Sequence, residues 1–394
     1  MKVSQVYALM NNYAKQMWGK EAIDVIDLSS FASFGDAVLG SNENRDNFLG
    51  VVSGDIAKTV VRTLDLDINY PSLMVDRFVY GTFLRKLTVR PILAQTAESW
   101  NVGENDFSPT NFKIDKPSIT EKMFSDINAF EFDLTIPDKL FRGSFRSPED
   151  MAAFLSAMTD ALSKSVVLYV NYANRMCLNL AIARKINSDR NVVHLLTEYN
   201  ATVPSASQIS DANIALITPE FLRFAGKRVM DMLRYMREPN AIFNEDGEIR
   251  ATRRENAHVF LLGEYAAATE RFLEADVYNR ILTSLPNYEE IIAFSGLLHL
   301  EGESGSEVLT TLPTFEDAST INVKIGEDDG TDVIVNQPYI IGAIFDRQTL
   351  GTTLYDERTA ADRNNRNEYT NYTNIVEIGF FIDESEQGVI FVID

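Results

Sequence analysis

The sequence is poor in the residues that most often perform chemistry. Its 394 residues include one cysteine, Cys177, three histidines, His194, His258 and His299, and two tryptophans. A lone cysteine excludes an intrachain disulfide and a Cys-x-x-Cys site, and it fits a reducing compartment. The histidines are far apart in the chain, and none has an acidic or cysteine neighbour at metal-ligand spacing. His-Glu-x-x-His, Gly-x-Ser-x-Gly and Gly-x-x-x-x-Gly-Lys are all absent, and Phe224-Ala225-Gly226-Lys227 lacks the first glycine of a phosphate loop. Positive charge is also scarce. Lys and Arg total 36 against 57 for Asp and Glu, a net charge of −21, so most of the surface repels phosphate backbones and nucleic acid is a poor candidate for a tightly held partner. No apolar run approaches the roughly 18 residues of a membrane span. The start, Met1-Lys2-Val3-Ser4-Gln5, lacks the apolar stretch of about 7 to 15 residues of a signal peptide. The expectation is a soluble protein made in a cytoplasm, without catalytic residues, cofactor or metal.

What is present is core-forming material. The hydrophobic fraction is 45%, and the chain exceeds the roughly 250 to 300 residues at which one core stops growing, so two or more packed units are expected. Residues 1 to 65 alternate short helical patterns with polar stretches and read as an arm more than a core. From about Phe83 to Ile136 the chain reads as extended. In its second half Phe130, Phe132, Leu134 and Ile136 alternate with Glu131, Asp133 and Thr135 as in a strand with one apolar face. Leu84 to Leu93 is its expected partner. The polar stretch between, Gln95 to Ser118, is longer than most connections in compact domains. Such a long hairpin is marginal alone and needs a surface to lie on, expected on another subunit.

Ser147-Pro148-Glu149-Asp150 is a helix start: Ser caps, Pro fills the first turn, and two carboxylates meet the positive end of the dipole. From Met151 the apolar positions Phe154, Leu155, Met158, Leu162, Val166, Tyr169, Val170, Ala173, Cys177 and Leu180 recur at spacings of three and four, uninterrupted past Ile186. At 1.5 Å per residue this is a rod of about 60 Å, a scaffold strut. Residues 200 to 340 read as mixed α/β, with a helix from Thr218-Pro219-Glu220, a buried strand His258 to Leu262 and a helix Glu264 to Leu282. Val333 to Val335, Tyr339 to Phe345, Ile375 to Ile382 and Val389 to Ile393 read as strands of one well-buried sheet. Asp383 to Gly388 reads as the turn of a terminal hairpin.

The polar features left over read as structural. His258 heads a buried strand, and a satisfied imidazole is the expectation. The acidic turns Asn244 to Glu248 and Glu327 to Asp332 lack the ligand order of a calcium loop and read as solvated. Cys177, on the apolar stripe of the long helix, reads as a small core residue. Lys113, Lys116 and Lys122 read as keeping a loop solvated. The 24 Phe and 15 Tyr sit mainly at periodic positions, which packing explains.

Taken in order, an arm, an extended hairpin, a capped forty-residue helix, a mixed α/β region and a late return to sheet resemble the tailed-phage major capsid proteins of Hong Kong 97 type. Ala257-His258-Val259-Phe260-Leu261-Leu262, followed by Phe272-Leu273-Glu274-Ala275-Asp276-Val277-Tyr278-Asn279-Arg280, resembles the axial domain's strand and helix. Tyr339-Ile340-Ile341-Gly342-Ala343-Ile344-Phe345-Asp346-Arg347 and Asn367-Glu368-Tyr369 resemble the closing segment. The resemblance implies an α+β fold with an N-terminal arm (1–80), an extended loop (81–140), a peripheral domain with the spine helix (141–200 and 345–394) and an axial domain (201–344). It implies a non-enzymatic subunit that forms pentamers and hexamers of an icosahedral head around double-stranded DNA, enclosed without sequence-specific binding. The partners it implies are further copies of the chain, a separate scaffolding protein, a portal and accessory head proteins, with no membrane. The chain would assemble in the host bacterial cytoplasm and reside in the virion. An encapsulin-like compartment shell has the same architecture. An acidic hydrolase using scattered carboxylates such as Asp346 and Glu377 is the alternative of a different class.

Overall fold

The structure, a computed structural model, describes residues 3–18, 25–26, 28–41, 44, 47–48, 70–75, 84–90, 118–137, 143, 145, 147–275, 286–294, 313–328, 331–364 and 367–394. In chain order the first elements are helices α1 (Val3–Trp18) and α2 (Leu28–Leu39), then strands β1 (Leu84–Val89), β2 (Ile119–Phe124) and β3 (Asp126–Pro137). Helix α3 (Pro148–Asn187) follows, then β4 (Val192–His194), α4 (Leu195–Thr202), α5 (Ala212–Ile217) and α6 (Pro219–Arg237). Next come β5 (Ala257–Leu262), α7 (Gly263–Ala275), β6 (Glu289–Ile291), α8 (Phe315–Ser319), β7 (Ile321–Asp328) and β8 (Thr331–Gln337). The chain closes with β9 (Ile340–Asp346), β10 (Leu350–Asn364), β11 (Tyr369–Ile382) and β12 (Gly388–Val392).

These elements form two compact units, one from Met1–Arg77, Ile127–Asn174 and Thr352–Gly379, the other from Phe78–Asp126, Arg175–Gly351 and Phe380–Asp394. The predicted long helix is α3, 40 residues without interruption. Its start is built as the sequence implies: Asp150 N donates to Ser147 Oγ at 3.0 Å, and Glu149 and Asp150 occupy the first turn.

The first unit corrects the reading of its N-terminal residues. Tyr13, Phe31, Phe34, Val38 and Phe48 are fully buried and share one core with Ile136, Met151, Val166, Val170 and Tyr372. Tyr13 and Phe48 meet edge to face at 5.1 Å. The spacing of apolar residues in the two short helices is sufficient to make core, not only arm. Strand β3 behaves as its alternation demands, with Phe130 and Phe132 each 5.0 Å from the ring of Tyr169. Its polar face is tied to β11 by Thr135 Oγ1 donating to Asn371 Oδ1 and Thr373 Oγ1 donating to Asp133 Oδ1, both 2.7 Å.

That placement overturns the predicted hairpin. β3 lies at one edge of a three-stranded sheet in the order β10-β11-β3, whereas β1 pairs antiparallel with β2. The extended run is two strands broken at Ser125. Its first half shares the polar, lysine-bearing alternation of Leu84–Val89, and its second half needs an apolar core. The Gln95 to Ser118 connection, with Lys113 and Lys116, lies outside the described residues except for Ser118.

The second unit is centred on a five-stranded sheet, β4-β12-β9-β5-β6, in which β9 is buried along its whole length. Gly342 on β9 has no room for a side chain, since a Cβ there would meet Phe260 O at 2.5 Å. Helix α6 buries Phe221, Leu222, Ala225, Val229, Met232 and Met236, the stripe its periodicity predicts. The expectation of one late sheet is corrected here: Val333 to Val335 belong to the separate β7–β8 ribbon, Ile375 to Ile382 to β11, and only β9 and β12 are sheet partners. Short apolar strands look alike in sequence whichever sheet they join, and on β8 only Val335 is buried. Asp383 to Gly388 is therefore no hairpin turn but the passage from β11 to β12.

Candidate functional site: a charged socket beneath an apolar ribbon

The β1–β2 ribbon is inverted in polarity. In the register, Lys86 stands opposite Lys122, Val89 opposite Ile119 and Leu87 opposite Glu121. Alternation sends Leu84, Lys86, Thr88, Thr120, Lys122 and Phe124 to the half-buried side. The opposite face leaves Leu87, Val89, Ile119 and Met123 between 56% and 61% exposed. On that face one ion pair, Arg85 Nε to Glu121 Oε1 at 2.5 Å, interrupts the apolar surface.

Under the half-buried side lies the passage from β11 to β12, whose Asp383 and Glu386 are buried rather than solvated. Lys86 Nζ donates to Asp383 Oδ2 at 2.5 Å and to Glu386 Oε1 at 2.8 Å. Lys122 Nζ donates to Asp383 Oδ1 at 3.1 Å and to Asp246 Oδ2 at 3.3 Å. The Asp383 side chain has no exposed surface. Burial alone would raise its carboxyl, but the hydrogen bonds from Lys86, Ser385 and Lys122 outweigh burial and hold it down to about 2. Burial likewise works against the charged form of Lys122, and Asp383 and Asp246 reverse that, leaving the ammonium above its ordinary value. Beside the socket, Lys185 is almost fully enclosed and donates to Glu384 O at 3.0 Å. Burial lowers its pKa despite the nearby carboxylate of Glu245.

The Asn244 to Glu248 turn is the socket's second wall, a correction to its reading as a solvated turn. Asn244 Nδ2 donates to Glu248 O at 2.6 Å and Glu248 N donates back to Asn244 Oδ1 at 3.0 Å, while Gly247 takes φ +64°. Glu248 accepts from Arg90 Nε at 2.8 Å and from Arg250 Nη2 at 2.7 Å. Lys122, read from sequence as a solvating residue, is thus an anchor. A sequence signal existed: an acidic run between two strands as apolar as β11 and β12 has little surface to reach. Its lysine partners are some 260 to 300 residues away, beyond any pattern within a window.

The remaining candidates lie apart from the socket, and His299 lies outside the described residues. Cys177 lies with Sγ 3.9 Å from Gly351 O and 3.8 Å from Phe381 O, and burial pushes its thiol up to about 12. His258 is half-buried, and burial, followed by the charge of Arg347, lowers its pKa. His194 Nδ1 contacts Asp394 Oδ1 at 2.6 Å. Asp346 Oδ1 accepts from Gln348 N at 2.8 Å, and Glu377 pairs with Arg358. Among the described residues no group of His, Cys, Asp and Glu could hold a metal ion, and no helix is long and apolar enough to cross a membrane.

What this arrangement can do is position a surface rather than transform a substrate, and comparison with known proteins agrees. The fold is similar to the capsid structure of Staphylococcus phage Andhra, with a TM-score of 0.50 at 10% identity over 84% of this chain and 86% of that one. It is similar as well to a chain in the structure of the head fiber and inner core protein of native bacteriophage P68, with a TM-score of 0.51 at 10% identity over 83% and 85%. No curated protein matches the sequence. The fold is the α+β capsid fold of Hong Kong 97 type, and the protein is structural, not an enzyme. Residues 8–392 match the family described as Phi29-like phage major capsid protein, and the chain belongs to that family.

Proposed function

We propose that this capsid protein assembles with copies of itself into the pentamers and hexamers of an icosahedral head that encloses double-stranded DNA. The observation that carries the reading is the outward apolar face of the β1–β2 ribbon, Leu87, Val89, Ile119 and Met123. A two-stranded ribbon is marginal in water. Here it is fixed on its charged side and presents its apolar side for a neighbouring subunit to cover. Burying four half-exposed side chains contributes on the order of 4 kcal/mol per subunit, a useful increment when repeated around a closed shell.

In this reading residues 1–80 act as the arm, with their buried helices also contributing to the first unit's core, 81–140 as the extended loop apart from β3, which belongs to the β10-β11-β3 sheet, 141–200 and 345–394 as the peripheral domain and 201–344 as the axial domain. A scaffolding protein, a portal and accessory head proteins complete the particle, which forms in the host bacterial cytoplasm. The enclosed DNA is held without sequence-specific contacts, in keeping with the net charge of −21. The test is negative-stain microscopy of the purified chain with and without its scaffold, together with hydrogen exchange across 84–89 and 119–124. Shells or rings with slowed exchange in the ribbon are expected. A monomer at high concentration with scaffold supplied, or equal exchange in free and assembled protein, would overturn the reading.

A further inference from the structure

In an acidic chain, helix α6 concentrates positive charge. From Arg223 to Arg237 it carries five cations, Arg223, Lys227, Arg228, Arg234 and Arg237, and one carboxylate, Asp231. Arg228 is held by two bonds to Glu198, at 2.7 and 2.9 Å. The other four are exposed, Arg234 with its Nη1 3.5 Å from Asp231 Oδ1, and recur at spacings of four, seven and three. At 3.6 residues per turn they fall within about 80° of one another, on a stripe about 21 Å long. Beyond its end, Thr252 N donates to Met236 O at 2.8 Å, which brings the exposed Arg253 and Arg254 close to the same terminus. Tyr235, Ile242 and Ile249 stand beside them, 57%, 69% and 42% exposed. The helix dipole accounts for cations in the last turn, Arg234 and Arg237, but not for Arg223 and Lys227 further toward the start, nor for exposed isoleucines.

The same unit carries the opposite sign on α7 and β6. Glu264, Glu270 and Glu290 are exposed there. Tyr288 donates to Glu270 Oε1 at 2.9 Å, and its hydroxyl is pushed up to about 12 by burial and then by the charges of Glu270 and Glu290. These carboxylates lie close enough to act on one hydroxyl together, and that concentration of like charge favours a cationic partner.

We propose that the Arg223–Lys227–Arg234–Arg237 stripe of α6 on one copy docks against the Glu270–Glu290 edge of the next copy. A stripe on one copy and an edge on the next then meet in a heterologous contact, the kind that closes rings. This rests on the self-assembly reading. The exposed Tyr235, Ile242 and Ile249 near the end of the helix favour a protein partner over a phosphate backbone, because Tyr and Arg together with apolar groups make protein interfaces and isoleucine gains nothing from phosphate.

The test is charge exchange in the full chain. Arg234→Glu with Arg237→Glu, and separately Glu270→Lys with Glu290→Lys, should each raise the concentration needed for assembly by about tenfold or more, because like charges then face one another. All four changes together should restore most of the loss. Arg234→Gln with Arg237→Gln, a milder pair, should shift assembly the same way by less and covers a reversal that fails to fold. Sedimentation velocity reads assembly, and circular dichroism checks the fold. Unchanged assembly in the reversed variants, or no recovery in the four-fold exchange, overturns the contact while the self-assembly reading stands. The contact is overturned as well if the stripe variants assemble normally but lose anisotropy-detected binding to a duplex of about 30 base pairs. A wild-type chain that never assembles overturns both.

Discussion

Lys86 and Lys122 stand directly opposite each other on β1 and β2, and both donate to the same carboxylate, Asp383. Two like charges in register across a strand pair repel, and the acid shared beneath them, with Glu386 beside Lys86 and Asp246 beside Lys122, offsets that repulsion. The charged side of the ribbon is therefore an anchor, and the exposed apolar side is the proposed partner surface.

Removing the shared acid tests this anchor. Asp383→Asn leaves the two ammonium groups with one carboxylate each, Glu386 and Asp246, and a neutral amide between them, and breaking such a buried pair costs about 3 kcal/mol. Hydrogen exchange of the β1 and β2 amides should accelerate by about a hundredfold, at roughly 1.4 kcal/mol per factor of ten. Adding Lys86→Met and Lys122→Met to Asp383→Asn should recover part of the protection. Unchanged exchange in Asp383→Asn would mean that the ribbon is held by its other contacts.

Acid should loosen the same anchor. The Asp383 carboxyl is held at about 2, below its ordinary value of 3.8, so its contribution is complete above about pH 4 and is lost as pH falls toward 2. The shift corresponds to about 2 kcal/mol. Exchange at the ribbon amides of wild type should rise through that window after correction for intrinsic rates, and Asp383→Asn should show a flatter profile.

Cys177 should be silent in the native protein. Its thiol is enclosed and pushed up to about 12, and the thiolate is the reactive form. A bulky thiol reagent at pH 8 should label it only after denaturation. Rapid native labelling would show that this part of α3 opens readily.

Local physics made much of the fold legible. The cap at Ser147, the unbroken α3, the α6 stripe and the alternation of Phe130 to Ile136 follow from periods of 3.6 and 2 that a short window displays. Pairing was not legible, because Leu84–Val89 suits either Ile119–Phe124 or Phe130–Ile136 by hydropathy alone. What decides between them is the acidic passage at Asp383 to Gln387, far along the chain. The socket stayed hidden for the same reason. Acidic residues usually mark water, and only the three-dimensional meeting with Lys86, Lys122 and Arg90 shows otherwise.

The outer face of the ribbon separates folding from assembly. Leu87 and Met123 are more than half exposed, so replacing them should alter the stability of the free subunit by less than about 0.5 kcal/mol. Threonine keeps a high strand preference and removes most of the apolar surface. Leu87→Thr with Met123→Thr should therefore leave thermal unfolding of the unassembled chain unchanged while raising the concentration at which shells form. Substitutions on the charged side should do the reverse, with Asp383→Asn loosening the ribbon before any partner is met. Sedimentation velocity and thermal melts of both variants distinguish the two effects. If the threonine pair destabilises the free subunit as much as it weakens assembly, Leu87 and Met123 pack within their own chain, and the ribbon is not the surface that joins one subunit to the next.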